Sequence, residues 1–112
     1  MIDNIKYSDL AINDLEQIGD YISEQLKNPK SALKIVNDIQ DTIDTLVEFP
    51  LMGVLLSSVI DIETDYRFLV CGSYLTFYRP QDSKIFIDRI LYSRRNYLTI
   101  LFGDTSQDEE IE

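Results

Sequence analysis

The chain has 112 residues, a hydrophobic fraction of 45% and a formal net charge of −10, which together predict one folded domain with a modest core. Because it has no histidine and a single cysteine, Cys71, an internal disulfide and a zinc site are excluded, and we expect neither a metal nor a cofactor. Its apolar runs are too short to cross a membrane and its N-terminus lacks the layout of a signal peptide, so we expect a cytoplasmic protein without a membrane partner.

The charge is divided unevenly along the chain. Residues 1–65 carry four lysines against thirteen carboxylates, a net charge of −9, whereas residues 66–102 carry all five arginines and one lysine against two carboxylates, a net charge of +4. Residues 103–112 add five carboxylates and no cation. We therefore expect a single domain over residues 1–102 and a disordered acidic tail over 103–112, with repulsion of polyanions at long range.

The first half of the chain predicts a short strand and two helices. Residues 2–7 could form the strand. From the N-cap Ser8 to about residue 26, apolar side chains recur at helical spacing, namely Ala11, Leu15, Ile18, Ile22 and Leu26. Asn28 and Pro29 begin a second helix that runs to about Phe49, with its own stripe of Ala32, Val36, Ile39, Ile43 and Leu46. The acidic residues outside that stripe indicate a face of the second helix that is exposed to solvent. The two helices together predict an antiparallel helical hairpin.

The segment 51–62 is unusually apolar for a loop that faces water. A strand or a folded-back core segment is the preferred interpretation. A patch that an oligomer or a partner covers is the alternative.

The second half of the chain predicts three antiparallel strands, over residues 66–71, 74–79 and 84–93, because these stretches are rich in β-branched and aromatic residues. Gly72-Ser73 predicts a two-residue hairpin turn, and residues 80–83 predict a looser one. Both faces of this sheet are largely apolar, so we expect the helices to cover one face and a partner to cover the other. The predicted fold class is α+β.

Four stretches, in this order along residues 5–102, resemble the RelE/ParE superfamily of toxins from bacterial type II toxin–antitoxin modules, which includes plasmid stabilization proteins. They are "DLEQIGDYI", "FPLMG", "YRFLVCGSYLTFYR" and "RILYSRRNYLTILF". The resemblance implies a short N-terminal strand, a helical hairpin packed on a curved antiparallel sheet, and a last strand ending in two basic residues. It also implies a cognate antitoxin that wraps the toxin in a hetero-oligomer.

Two activities occur in this superfamily. ParE-like members poison DNA gyrase, whereas RelE-like members enter the ribosome and cut mRNA. Leu75 stands where RelE itself has an arginine, which favours the ParE-like activity. We therefore expect a ParE-like toxin that arrests growth by binding a cellular target, with gyrase as the family expectation. A ribosome-dependent mRNA endoribonuclease and a degenerate, non-toxic antitoxin-binding module are the alternatives, so whether the chain is an enzyme stays open.

The resemblance also places candidate site residues. If the chain cuts RNA, Arg67, Arg95 and Tyr97 would be catalytic, because guanidinium groups stabilise a crowded phosphate and a phenol can donate a proton, although a phenol with a pKa of ~10 is a poor acid–base catalyst at neutral pH. Arg94 and Arg79 are candidates for target binding. The candidates for antitoxin binding are apolar, namely Leu55, Leu56, Val59 and Leu69.

Each of these residues has a structural alternative. Arg67 could pair with an acid of the first half, and Arg89 could face solvent or pair with an acid on a neighbouring element. Arg94 and Arg95 could anchor the C-terminal segment or contact the antitoxin. Aromatic side chains at strand spacing are more often core residues than a platform for bases, which applies to Tyr74, Phe77 and Tyr78.

Overall fold

The computed structural model describes residues 2–103 and shows a five-stranded sheet with a helical hairpin on one face and a short C-terminal helix on the other. The α+β class is confirmed. Apart from Gly103, the acidic tail predicted over 103–112 lies outside the described residues. Between residues 2 and 103, none of the helices has the length and hydropathy that a bilayer crossing requires.

The sheet is mixed rather than wholly antiparallel. Its strands, β1 to β5 in chain order, are Asn4–Tyr7, Val54–Leu55, Arg67–Cys71, Tyr74–Gln81 and Lys84–Tyr92, and they lie in the order β1-β5-β4-β3-β2. The predicted N-terminal strand is present, but it runs parallel to β5, whereas the other neighbours are antiparallel. Parallel pairing is possible here because a long stretch of chain separates the two strands.

The first hairpin turn is as predicted, and the second is tighter. Gly72 has a φ of 58° at the first position of the two-residue turn between β3 and β4. β4 continues to Gln81, which pairs with Lys84, so the second turn consists of Asp82 and Ser83 alone. Asp82 has a φ of 57°, a conformation that Asp tolerates better than most side chains.

The helical hairpin consists of α1 (Asp9–Asp20) and α2 (Pro29–Asp44). The hydroxyl of Ser8 accepts a hydrogen bond from the N–H of Ala11, and the Asn28 side chain accepts one from Ser31, as the predicted N-caps require. A π-helical turn over Tyr21–Gln25 follows α1. This wider turn shifts the helical phase, so that Leu26, predicted on the buried stripe, is exposed.

The apolar residues form two cores, one on each face of the sheet. The main core joins the hairpin to the sheet and consists of Ala11, Leu15, Ile39, Ile43, Leu46, Leu69, Tyr78, Ile85, Ile87 and Ile90. The second core has Leu56, Phe77 and Leu91 at its centre, with Tyr97, Ile100 and Leu101 against them.

The chain's own C-terminus covers much of the second face. Beyond the last predicted strand and the two arginines that follow it, the chain forms a helix that was not predicted, α3 (Tyr97–Phe102). Asn96 caps this helix by accepting a hydrogen bond from the N–H of Thr99, and three apolar side chains, spaced at i, i+3 and i+4, reach the sheet. The second face, expected to need a partner, is therefore partly closed within the chain.

Candidate functional site

Arg67 holds a loop and forms no ion pair within residues 2–103. Its guanidinium donates hydrogen bonds to the carbonyl oxygens of Leu51, at 3.1 Å, and Gly53, at 2.9 Å. The Tyr78 hydroxyl ties the same loop, since it donates to the Pro50 carbonyl and accepts from the Gly53 N–H, both at 2.9 Å. These four hydrogen bonds fix the backbone of residues 50–53.

Gly53 allows this close approach. A Cβ at this position would lie 2.6 Å from the Tyr78 ring and 2.9 Å from the Phe68 carbonyl oxygen. Burial raises the pKa of the Tyr78 hydroxyl, so it stays protonated and able to donate at neutral pH.

Two further arginines form ion pairs inside the fold. Arg89 donates two hydrogen bonds to the Asp14 carboxylate, at 2.8 and 2.9 Å, and the N–H of Ile90 donates a third at 2.9 Å. Arg79 pairs with Asp88 at 2.8 Å, with its guanidinium 5.7 Å from the centre of the Tyr66 ring. The hydrogen bond with each carboxylate raises the pKa of each arginine further. Of the two alternatives for Arg89, pairing with an acid on a neighbouring element is confirmed, and Arg79 also forms a structural ion pair.

Arg94 and Arg95 differ from the other three arginines. Both are exposed directly after β5, and neither forms a salt bridge within residues 2–103. They are therefore the two guanidinium groups of this stretch that remain available for a ligand.

Arg95 lies at the rim of an open cavity of about 800 Å³, between the loop end of the helical hairpin and the sheet. We call this cavity the tyrosine groove, because Tyr21, Tyr74 and Tyr92 line it. The Tyr74 and Tyr92 rings meet edge to face, with centroids 5.9 Å apart.

The tyrosine groove suits binding better than proton transfer. Burial, together with the neighbouring phenols of Tyr92 and Tyr21, raises the pKa of Tyr74, so this hydroxyl is a hydrogen-bond donor and not a base at neutral pH. Asp14 lines the groove, but Arg89 and the Ile90 N–H already occupy its oxygens. The groove thus offers apolar and aromatic walls beside a cationic rim, which fits an apolar side chain next to an anionic group.

The structure does not bring the three predicted catalytic residues together. Arg67 lies on the strand face that it shares with Leu69, which is in the main core, whereas the Tyr97 ring packs 5.2 Å from Phe77 in the second core. Arg67 and Tyr97 are therefore on opposite faces of the sheet. Arg95 lies at the tyrosine groove.

A second feature is an exposed apolar surface along residues 49–59, which we call the apolar segment. Its exposed members are Phe49, Leu51, Met52, Val54, Leu55 and Val59. Two of the predicted antitoxin-binding residues require correction, because Leu56 is buried in the second core and Leu69 in the main core. Leu55 and Val59 remain exposed. The preferred interpretation of this stretch is confirmed in part, since it contains a short strand and a core residue, and its exposed apolar residues leave coverage by a partner as a prediction.

The edge of the sheet is open beside the apolar segment. β2 pairs only with Arg67 and Phe68 of β3, so residues 69–71 have no strand on that side within the described chain. Val70, on this stretch, is exposed. An open edge next to apolar side chains can accept an extended segment of another chain.

Sequence reasoning missed the tyrosine groove and the hydrogen bonds to residues 50–53. The groove depends on the π-helical turn, for which the sequence has no clear signal. A signal for α3 was present in Asn96 followed by helically spaced apolar residues.

Comparisons with known proteins identify the family and a shared fold. A sequence profile for the family described as "ParE toxin of type II toxin-antitoxin system, parDE" matches residues 5–97. The solved structure of the chromosomal ParDE TA system from P. aeruginosa is similar with a TM-score of 0.68 and 26% identity, over 81% of this chain and 96% of that one. YafQ from E. coli strain BL21(DE3) is similar with a TM-score of 0.51 and 18% identity, over 92% of this chain and 100% of that one, which shows a shared fold. A search of curated proteins found no match.

Proposed function

Because this chain belongs to the ParE toxin family of type II toxin–antitoxin systems, we propose that it arrests bacterial growth by binding a protein target through Arg94, Arg95 and the tyrosine groove. The observation that carries this proposal is the availability of these two arginines, whereas Arg67, Arg79 and Arg89 are committed within the fold. The family expectation for the target is DNA gyrase.

The separation of the predicted catalytic residues favours target binding over RNA cleavage. Cleavage requires a base, an acid and cations within reach of one phosphate. Here Arg67 and Tyr97 lie on opposite faces of the sheet. The net charge of −10 also disfavours work among ribosomal phosphates, where proteins gain affinity from many cations. Binding to a protein requires neither a catalytic trio nor a strongly basic surface.

Two assays on the purified protein separate the activities. We expect inhibition of gyrase supercoiling by wild type, relief of that inhibition in Arg94→Ala/Arg95→Ala, and intact mRNA on translating ribosomes. Cleaved mRNA with unimpaired supercoiling would replace this proposal with the endoribonuclease. Inactivity in both assays, by folded protein that binds its antitoxin, would point to the degenerate module.

The partner that neutralises such a toxin is a cognate antitoxin, in keeping with the ParDE system to which the chain is similar. We propose that the antitoxin binds the apolar segment and the open edge of β3. The reason is that four hydrogen bonds with the side chains of Arg67 and Tyr78 fix residues 50–53 while Leu51 and Met52 stay exposed. A preformed apolar surface loses less entropy on binding than a mobile one.

To test the antitoxin contact, the affinity of this chain and its variants for the protein encoded by the adjacent open reading frame is measured. Leu55→Ser/Val59→Ser should weaken binding by about tenfold or more, because each substitution removes an exposed apolar contact. The control Leu10→Ser alters a leucine of the helical hairpin that is as exposed as Val59 and should bind like wild type. Equal weakening by the control and by Leu55→Ser/Val59→Ser would contradict this surface.

A further inference from the structure

A second cavity, of about 720 Å³, lies between α1 and α2, and we call it the hairpin groove. Its apolar walls come from Ile12 on α1 and from Leu33 and Val36 on α2. Gly19 on α1 faces Val36 on α2, where a Cβ would be in ordinary van der Waals contact at 3.5 Å. The groove opens to solvent, because Ile12 and Leu33 on its two walls are both exposed.

The exposed apolar walls of this groove serve no internal core. Ile12 is 47% exposed and Leu33 is 65% exposed, and neither belongs to the main or the second core. Single exposed apolar residues are common on protein surfaces, but these two belong to one groove. A groove with apolar walls on two helices can accept an amphipathic helix, which presents its apolar residues at i, i+3 and i+4.

The charges at the groove have one sign. The described residues that line it include two carboxylates, Glu16 and Asp20, and no lysine or arginine. These carboxylates are four residues apart on α1, where like charges repel each other. Within residues 2–103 neither forms a salt bridge. A cation from outside would relieve this repulsion.

We infer that the hairpin groove binds a cationic amphipathic helix of a partner protein. Apolar side chains of that helix would lie between Ile12 and Leu33, and its lysines or arginines would reach Glu16 and Asp20. A second copy of this chain fits poorly, because α1 has no lysine or arginine and α2 carries Lys30 and Lys34 against three aspartates, one of which, Asp38, already pairs with Lys34. An extended strand does not fit either, because both walls are helices without a free backbone edge.

This surface is separate from those proposed for the target and the antitoxin. It shares no lining residue with the tyrosine groove, and Arg94 and Arg95 follow β5 while the apolar segment lies at β2. Its test does not depend on toxicity.

The test is fluorescence anisotropy with a labelled leucine–lysine amphipathic peptide of about 18 residues, long enough for five helical turns. We expect saturable binding of this peptide and none of a leucine–glutamate peptide with the same apolar face. Ile12→Ser/Leu33→Ser should weaken binding by about tenfold or more. Both residues are exposed, so circular dichroism should show an unchanged fold.

A matched charge control distinguishes binding of the peptide at the hairpin groove from nonspecific attraction of a cationic peptide to a protein of high negative charge. Glu16→Gln/Asp20→Asn should weaken binding by about tenfold, whereas Asp61→Asn/Glu63→Gln, with the same net charge at an exposed loop, should change it by less than about twofold. Equal weakening by the two variants would overturn the inference. The inference would also be overturned if binding of the leucine–lysine peptide were undetectable, or if Ile12→Ser/Leu33→Ser bound it with wild-type affinity.

Discussion

Asp14 and Arg89 form the most buried salt bridge among the described residues, with side-chain exposures of 6% and 18%. The carboxylate accepts two hydrogen bonds from the guanidinium and one from the Ile90 N–H, at the point on β5 beyond its pairing with β1. Asp14 therefore joins α1 to the edge of the sheet. Losing one partner would leave the other charge buried and unpaired.

We predict that Asp14→Asn lowers the free energy of unfolding by about 3 kcal/mol, because Arg89 loses its counter-charge in a partly desolvated position. Urea denaturation measures this change. Asp38→Asn, which breaks the exposed Lys34–Asp38 pair, is the control and should cost less than about 0.5 kcal/mol. Similar costs for the two substitutions would show that Asp14 is not a structural anchor.

At the scale of elements, Tyr78 connects the central strand β4 to the loop that precedes β2. Its hydroxyl satisfies the buried Gly53 N–H and the Pro50 carbonyl, and the ring lies in the main core. Arg67 on β3 adds two more hydrogen bonds to the same loop. The position of the apolar segment thus depends on β3, which is the neighbour of β2, and on β4, which is the next strand in the sheet.

We predict that Tyr78→Phe lowers the free energy of unfolding by about 1–2 kcal/mol, because it leaves the Gly53 N–H without a partner. The amide of Gly53 should also exchange with solvent faster. Tyr74→Phe is the control, since the Tyr74 hydroxyl forms no side-chain hydrogen bond within residues 2–103 and should have little effect. Unchanged exchange at Gly53 would contradict this account of the loop.

Local signals in the sequence predicted most of the elements. Ser8, Asn28 and Pro29 mark helix starts, and Gly72 marks a hairpin turn, because each residue favours its conformation without help from distant contacts. The parallel pairing of β1 with β5 was not predictable in this way, since it depends on residues about eighty positions apart.

The candidate site was predicted less well than the fold, for a similar reason. A run of arginines does not reveal which of them have partners. The partners of Arg67 are the carbonyls of residues 51 and 53, and that of Arg89 is Asp14, 75 residues away. The assignment of Leu56 to a binding surface was wrong, because the side chain of an apolar residue in an exposed segment can still point into a core.

At the scale of the whole molecule, the two halves differ in charge and in what they offer to partners. The acidic helical hairpin carries the hairpin groove, whereas the available arginines lie at the end of the sheet beside the tyrosine groove. At a net charge of −10, each further negative charge adds to the repulsion within the chain and disfavours the folded state.

We predict that stability falls as pH rises from about 10 to 12. Burial raises the pKa of Tyr7 to about 12, with a further contribution from Asp44, and burial followed by contact with Asp88 raises that of Tyr66 to about 12. An unfolded tyrosine ionises near pH ~10, so in this window the unfolded chain binds fewer protons than the folded one and is favoured. Below pH 10 both tyrosines are protonated in the folded and the unfolded chain, so their contribution to stability is fully present.

The midpoint of urea unfolding, measured from pH 8 to 11, follows this effect. It should fall above pH 9–10 in wild type and fall less steeply in Tyr7→Phe/Tyr66→Phe, which removes both phenols. A midpoint that stays constant or rises over this range would contradict the prediction.

The most direct test of the account is the viable count of bacteria after induced expression without antitoxin. Wild type should reduce the count by orders of magnitude, Arg94→Ala/Arg95→Ala should restore it at equal levels of folded protein, and Lys30→Ala/Lys34→Ala, which removes the same charge from α2, should remain toxic. Undiminished counts with folded wild type, or equal killing by the arginine variant, would contradict the claim that these two arginines contact the target.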